Sequence, residues 1–287
     1  MKKKYKETSG IFATIMPSFA WMAVFLAIPM IYIVLISFFT RGTYGQIIHK
    51  FTINNFTALF DPLYLGVFWD SIIMSFFTTL FCLVLGYPFA YSIARVDKKY
   101  RGILMILIII PFWTNSLIRT YAWILLLGVG GIFNNILMSL KIISQPIQML
   151  YNYGAIFIGM VYTLFPFMVL PLCTAIDKLD KSYLEAASDL GAKPWDRFWN
   201  ITVPLTMPGI TAGSILVFIP SLGYFFISDL MGGSKKMLIG NLIQNQFLTA
   251  RNWPLGAALS VILIILTFIL IGGLNKLTGK KGSMEVF

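Results

Sequence analysis

The chain has 287 residues, of which 58% are hydrophobic and only 11% are charged, and its mean hydropathy is +0.81. These values exclude an ordinary soluble domain, in which about a quarter of the residues are charged. They predict an all-α protein embedded in a bilayer, because an open strand in lipid would leave its backbone groups unpaired.

Six apolar runs are long enough to cross about 30 Å of hydrocarbon as helices. The predicted spans are residues 11–39, 67–94, 103–127, 153–176, 209–227 and 256–274. Arg119 interrupts the third of them. Since no internal repeat or flexible linker is visible, we expect one polytopic transmembrane domain over residues 1–287.

Lysine and arginine are distributed unevenly between the two sides that these spans define. Of the 22 such residues, fifteen lie before the first span, between the second and third, between the fourth and fifth, and after the sixth; six lie in the other loops and Arg119 lies within a span. The richer side is cytoplasmic by the positive-inside rule. We therefore expect cytoplasmic termini, and topology explains the net charge of +11 without a nucleic-acid partner.

Residues that could carry chemistry are scarce. Cys82 and Cys173 fall inside predicted spans, where a thiol is most simply a buried apolar group. His49 has no Cys or His at metal-ligand spacing, and the Gly-Lys-Lys stretch from Gly279 lacks the Ser or Thr of a phosphate-binding loop. We expect no catalytic residue, metal site or cofactor in this chain.

One polar segment, between the fourth and fifth spans, is patterned as two short helices. Ser182 and Glu185 have the spacing of a capping box, which predicts a helix start. Gly191 is placed to end that helix in a left-handed conformation, and Pro194 suits the first turn of a second helix. We expect that helix to run to about residue 202, with Pro204 and Pro208 separating it from the fifth span.

Two roles for this segment are consistent with its residues. It is either an amphipathic hairpin lying on the lipid headgroups, with Glu185 serving only as a cap, or a docking surface for another protein. Ala186 and Ala187 favour docking, because small side chains let a partner approach the helix closely.

The segment resembles the EAA loop of ABC importer permeases. The matching positions are Glu185, Ala186, Ala187, Gly191, Ile201 and Pro204. The resemblance implies a type I ABC importer permease (MetI-like) fold with six transmembrane helices, in which residues 177–207 couple to an ATPase. The implied coupling residues are Glu185, Ala186, Ala187, Asp189 and Gly191.

Other stretches narrow the resemblance to one family. "PFWTNSLIRTYAW" from Pro111, "DPLYLGVFWDS" from Asp61 and "SDLMGG" from Ser228 are similar to permease subunits of the spermidine/putrescine (PotB-type) importers. The resemblance implies a polyamine permease in the plasma (inner) membrane of a prokaryote, with a second permease, two ATPase copies and an extracytoplasmic binding protein as partners. It places ATP and Mg²⁺ on the ATPase, so this chain is not expected to be an enzyme.

Candidate residues of the substrate path lie near the outer end of the fifth span. Tyr224, Phe225 and Phe226 offer aromatic faces, each of which attracts an ammonium group by about 0.5–2 kcal/mol, and Asp229 supplies a carboxylate. An ordinary interfacial aspartate at a helix end is the structural alternative for Asp229.

Further candidates lie in the second and third spans. Asp70 is either a second carboxylate of the path or a first-turn acid stabilised by the helix dipole. Trp113 and Asn115 line the cavity or belong to the packed core. Arg119 needs a partner within the membrane and would repel a cationic substrate. For Arg119 we expect a structural ion pair with Asp70 or Asp229, or hydrogen bonds to loop carbonyls.

Two alternatives remain. A permease of the same architecture could carry sulfate, ferric iron or an opine, although the aromatic and carboxylate cluster favours a cation. An ion-driven carrier is less favoured, because the sequence shows neither acids deep in the spans nor inverted repeats.

Overall fold

The computed structural model describes residues 15–233 and 236–277, and these residues are largely helical. The helices are α1 Ile15–Ser37, α2 Asn54–Ala58, α3 Pro62–Arg95, α4 Lys98–Ile109, α5 Ser116–Leu127, α6 Ile132–Ser139, α7 Tyr153–Asp177, α8 Lys181–Asp189, α9 Pro194–Leu205, α10 Met207–Gly223, α11 Phe225–Gly232, α12 Ile239–Leu248 and α13 Trp253–Leu277. Two short antiparallel strands, β1 Thr40–Arg41 and β2 Ile47–Ile48, pair with Thr40 opposite Ile48.

The prediction of an all-α membrane fold is confirmed. Within residues 15–233 and 236–277, five stretches are long and apolar enough to cross a membrane: α1, α3, the α5–α6 stretch Ser116–Ser139, α7 and α13 up to Gly273. A sixth is obtained when α9 and α10, which meet at 65°, are counted as one bent span. Residues 11–14 of the first predicted span lie outside the described residues, as do Lys235, Gly279, the four lysines before the first span, Lys280 and Lys281.

The third predicted span is wrong, because it is not one continuous helix. Helix α4 ends at Ile109, and the chain makes a 3₁₀ turn over Ile110–Trp113 before α5 begins. Thr114 is extended and the side chain of Asn115 caps α5 by accepting from the N–H of Leu117 at 2.8 Å. Pro111 contributes to the break, because it has no N–H to continue the helix.

The fifth predicted span also differs from the structure. The prediction covers residues 209–227, but α10 ends at Gly223, and Tyr224 separates it from α11. Pro204 and Pro208 do not delimit a linker: Pro204 lies inside α9 and Pro208 in the first turn of α10, while the bend falls at Thr206. Prolines are compatible with helix N-termini, so their presence did not locate the break.

The chain divides into two compact units, each of which is built around its own contacts. The first combines Met1–Tyr64 with Ile243–Leu266, and the second combines Leu65–Leu242 with Thr267–Phe287. In the first unit, Asn55 holds the end of α1 by donating 2.8 Å hydrogen bonds to the carbonyls of Ser37 and Phe39. The single domain expected from the sequence stays a prediction.

The core of the second unit is organised around α7, the most buried of the candidate spans. Helix α10 packs directly on it, because Gly209 and Gly213 present no side chain at the crossing. A Cβ at Gly209 would lie 2.4 Å from the Cβ of Ala175, and one at Gly213 would lie 2.8 Å from the Sδ of Met168. Small residues allow this close approach of helices in lipid.

Candidate functional site

The first helix of the polar hairpin is capped by a residue other than the expected one. Helix α8 begins at Lys181, and Asp180 is its N-cap, accepting from the N–H of Ser182 at 2.9 Å. The backbone N–H and then the hydroxyl of Ser182 lower the pKa of the Asp180 carboxyl by hydrogen bonding. The predicted Ser182–Glu185 capping box is therefore wrong, because Glu185 lies too far into the helix to bond the N-cap amide.

The end of α8 agrees with the prediction. Gly191 has φ +80°, and the N–H groups of Gly191 and Ala192 bond the carbonyls of Ser188 and Ala187 at 2.9 and 3.0 Å. This pair of bonds is a Schellman motif, which needs a residue in the left-handed conformation at its centre. Glycine adopts that conformation most easily. Pro194 opens α9, so the tight turn between the helices is fixed by backbone geometry.

The hairpin formed by residues 181–205 is held together on one side only. Arg197 of α9 donates to the carbonyl of Leu184 at 3.5 Å and to the hydroxyl of Ser188. Phe198 packs edge-on against Tyr87 of α3, with ring centroids 5.5 Å apart. These contacts fix α9 against the bundle and fix α8 against α9.

The other side of the hairpin is open. No residue of α8 is buried; Glu185, Ala186, Asp189 and Gly191 are exposed, and Ala187 is half-buried. Leu190 at the tip is 89% exposed. Glu185 makes no side-chain hydrogen bond or ion pair with any residue in the described part of the chain. The surface combines a carboxylate, small alanines and an apolar tip, which suits docking to another protein better than an internal role.

The aromatic residues predicted for the substrate path do cluster. Phe226 packs edge-on against both Tyr224 and Phe225, with centroid distances of 5.3 and 6.1 Å. Asp229 follows Phe225 by one helical turn on α11, and its side chain is exposed. Asp229 makes no side-chain hydrogen bond or ion pair with the residues that the structure describes. Its carboxylate is thus available to a ligand or to another subunit.

Asp70 is engaged within the chain. Its carboxylate accepts a 2.5 Å hydrogen bond from the hydroxyl of Tyr153 at the start of α7. The Nζ of Lys236 lies 4.7 Å from the centre of the Tyr153 ring. This arrangement fits a structural role for Asp70 better than a freely accessible site for a cation.

The ion pair expected for Arg119 is not formed. Its guanidinium stacks over Phe112 at 4.5 Å and lies 6.0 Å from the centre of the Tyr162 ring. Its Nε and Nη1 are buried without a hydrogen-bond partner among residues 15–233 and 236–277. Neither Asp70 nor Asp229 forms an ion pair with it, and the Asp70 carboxylate accepts a hydrogen bond from Tyr153. Aromatic faces take the place of the expected acid.

Two other candidates lie at the break before α5. Trp113 is 80% exposed, and the side-chain oxygen of Asn115 is used to cap α5. Neither side chain forms a hydrogen bond or ring contact with the aromatic cluster of α11 in the part of the chain that the structure describes. Asn115 is therefore a helix cap in this chain, and a path role for Trp113 stays a prediction.

Sequence reasoning missed several residues that organise the hairpin and its base. Arg101 and Asp177 form the one ion pair found within residues 15–233 and 236–277, joining α4 to α7. Tyr87 bonds Thr206 at the bend before α10. An Arg and an Asp at the same end of adjacent predicted spans were a detectable signal for the ion pair, whereas nothing local pointed to Tyr87.

Comparison with known proteins places this chain in a family. The family model described as "Binding-protein-dependent transport system inner membrane component" matches residues 83–277. The chain is 47% identical over 270 residues to the spermidine/putrescine transport system permease protein PotB of Haemophilus influenzae, covering 93% of this chain and 94% of that protein. It is 47% identical over 268 residues to PotB of Escherichia coli, covering 92% and 98%.

A solved structure has the same fold at much lower identity. It is a chain of a bacterial alginate ABC transporter in complex with an alginate pentasaccharide-bound periplasmic protein. The TM-score is 0.79 at 18% identity, over 97% of this chain and 96% of that chain. The likeness is one of fold, and it extends over the hairpin as well as the spans.

Proposed function

Because the chain belongs to the family of binding-protein-dependent transport system inner membrane components, we propose that it is a permease subunit of an ATP-driven importer of spermidine and putrescine. The observation that carries the proposal is 47% identity to two spermidine/putrescine permeases over at least 92% of this chain. A match of that length covers spans and connections alike, so it supports the same class of solute as well as the same fold.

The open face of the hairpin supports an ATPase as its partner. Glu185, Ala186 and Leu190 project from the bundle, while Arg197 and Phe198 anchor the opposite face. A short helix that is rigidly held on one side and free on the other can transmit a push from a docked subunit. In this proposal, closure of two ATPase copies moves the hairpin and turns the path outward, and their release returns it.

The path itself is proposed to lie between this chain and a second permease. A groove of about 740 Å³ between α3, α4 and α7 is unsuited to a polyamine, because its lining contains no carboxylate and is apolar apart from the hydroxyls of Ser92 and Tyr162. An ammonium group that leaves water needs carboxylates, carbonyls or aromatic faces. Asp229 and the Tyr224–Phe226 cluster offer such groups on one side, and a second subunit would supply the other.

The charge distribution supports the proposed orientation. With the hairpin and both termini on the cytoplasmic side, Asp229 would face the extracytoplasmic binding protein that delivers the substrate. Attaching a reporter that is active only in the cytoplasm to residue 287 tests this orientation.

Transport is tested in cells that lack their own polyamine importers. The chain is co-expressed with a second permease, an ATPase and a binding protein from the same organism, and the uptake of labelled spermidine, putrescine, sulfate and ferric iron is compared. We expect uptake of the polyamines alone, and none when this chain is omitted. ATP-dependent uptake of sulfate or iron without polyamine uptake would overturn the substrate assignment.

A further inference from the structure

A buried threonine lies at the bend between the hairpin and α10. Thr206 is 0% exposed and lies between α9 and α10, which meet at 65°. Its hydroxyl bonds the carbonyl of Thr202 at 2.7 Å. Pro208 has no N–H and cannot continue the hydrogen-bond ladder through the bend. The backbone alone therefore leaves a weak point between the hairpin and α10.

A second residue reinforces this point from another helix. The hydroxyl of Tyr87, on α3, lies 2.8 Å from the Oγ1 of Thr206. Thr206 donates its single hydroxyl proton to Thr202, so its oxygen accepts from the Tyr87 O–H. The ring of Tyr87 also packs edge-on against Phe198 of α9. Tyr87 thus contacts both the arm of the hairpin and the bend where the arm joins α10.

We propose that the Tyr87–Thr206 hydrogen bond is the connection through which movement of the hairpin reaches α3 and α10 together. The two residues are 119 positions apart, so the bond joins helices that the chain does not connect directly. With the bond present, the arm, the bend and α3 move as one body. Without it, the bend absorbs part of the movement, and ATP hydrolysis proceeds with less transport. This proposal rests on the proposed function, because it needs an ATPase to move the hairpin.

The covalent link from α7 to α8 is the competing route. Asp180, the N-cap of α8, lies only two residues after Lys178, the C-cap of α7. A push on the hairpin therefore also reaches α7 directly through the chain. If α7 carried the whole movement, removing the Tyr87 hydroxyl would leave coupling unchanged. The two routes therefore predict different results for one substitution.

The test uses the complete reconstituted importer with Tyr87→Phe, Thr206→Val and the double variant. We expect each single variant to lower the polyamine transported per ATP hydrolysed by about three- to tenfold, since a buried hydrogen bond is lost. The double variant should fall no further than the singles, because both remove the same bond. Thr206→Ser, which keeps the hydroxyl, should retain wild-type coupling.

A matched control removes a hydroxyl from the next turn of α3. Tyr91→Phe loses a bond from Arg95 and should leave the coupling ratio unchanged. An unaltered ratio in Tyr87→Phe overturns the proposal, and so does a loss confined to the amount of assembled complex, which would indicate structural support alone. A wild-type complex whose ATP hydrolysis does not respond to the polyamine-loaded binding protein would instead overturn the proposed function.

Discussion

The hydroxyl of Tyr153 donates a 2.5 Å hydrogen bond to the carboxylate of Asp70, which joins the start of α7 to α3. On the next residue of α3, the hydroxyl of Ser71 accepts the N–H of Ile239 at 2.8 Å, which fixes the start of α12. Two adjacent residues of α3 thus hold two other helices at one end of the second unit. An acid that the sequence offered as a path residue is part of this framework.

Removing the hydroxyl of Tyr153 should destabilise the protein. For Tyr153→Phe we expect the free energy of unfolding to fall by about 1 to 2 kcal/mol, because a hydrogen bond to a carboxylate is lost at a partly exposed position. Thermal melting of the purified complex in detergent measures the effect. Tyr44→Phe, at a side chain that is 90% exposed, is the control. Equal melting temperatures for the two variants would contradict the structural role.

The turn of the hairpin should depend on glycine. Gly191 has φ +80°, and nothing lies within 4 Å of the position that a Cβ would occupy. Substitution therefore costs backbone energy alone, about 1 to 2 kcal/mol for a branched residue. We expect Gly191→Val to reduce ATPase coupling and Gly191→Asn to be tolerated, because asparagine adopts the left-handed conformation more readily. Stimulation of ATP hydrolysis by the loaded binding protein is the measurement, and equal coupling in both variants would argue against a backbone effect.

The exposed face of α8 should bind the ATPase. Glu185→Lys reverses a charge that makes no contact within the described part of the chain, so the fold should be preserved while ATPase assembly and coupling fall at least several-fold. Co-purification of the ATPase measures assembly. Binding of spermidine to the binding protein should be unaffected. Lys50→Glu, an exposed charge reversal in the loop after β2, is the control. Normal transport by Glu185→Lys would count against docking at this face.

The carboxylate of Asp229 should act on the substrate. In Asp229→Asn we expect the initial rate of polyamine uptake to fall by about tenfold, the equivalent of about 1.4 kcal/mol, while the amount of assembled complex changes little. Asp229→Glu keeps the charge and should retain most of the rate. Uptake kinetics at several spermidine concentrations distinguish a changed KM from a changed maximal rate. Identical kinetics in Asp229→Asn and wild type would remove Asp229 from the path.

The local pattern of the hairpin was readable in the sequence, apart from its cap. Gly191 and Pro194 predicted the turn correctly, because left-handed backbone and a helix start each restrict the residue at one position. Ser182 is the predicted cap, but Asp180 has the same preference for an N-cap. Local propensity cannot distinguish two acceptable caps that lie two residues apart. In the structure the helix begins at Lys181 and Asp180 is the cap.

The amino-acid sequence by itself determined that this chain is a helical membrane protein with a structured polar hairpin, because hydropathy and helix-end signals act over neighbouring residues. The tertiary structure decided which side chains share a hydrogen bond or a ring contact. Arg119 lies on Phe112 instead of an acid, Asp70 bonds Tyr153, and Tyr87 bonds Thr206 across 119 positions. Such pairings depend on how the helices pack, and no periodicity in the chain encodes them.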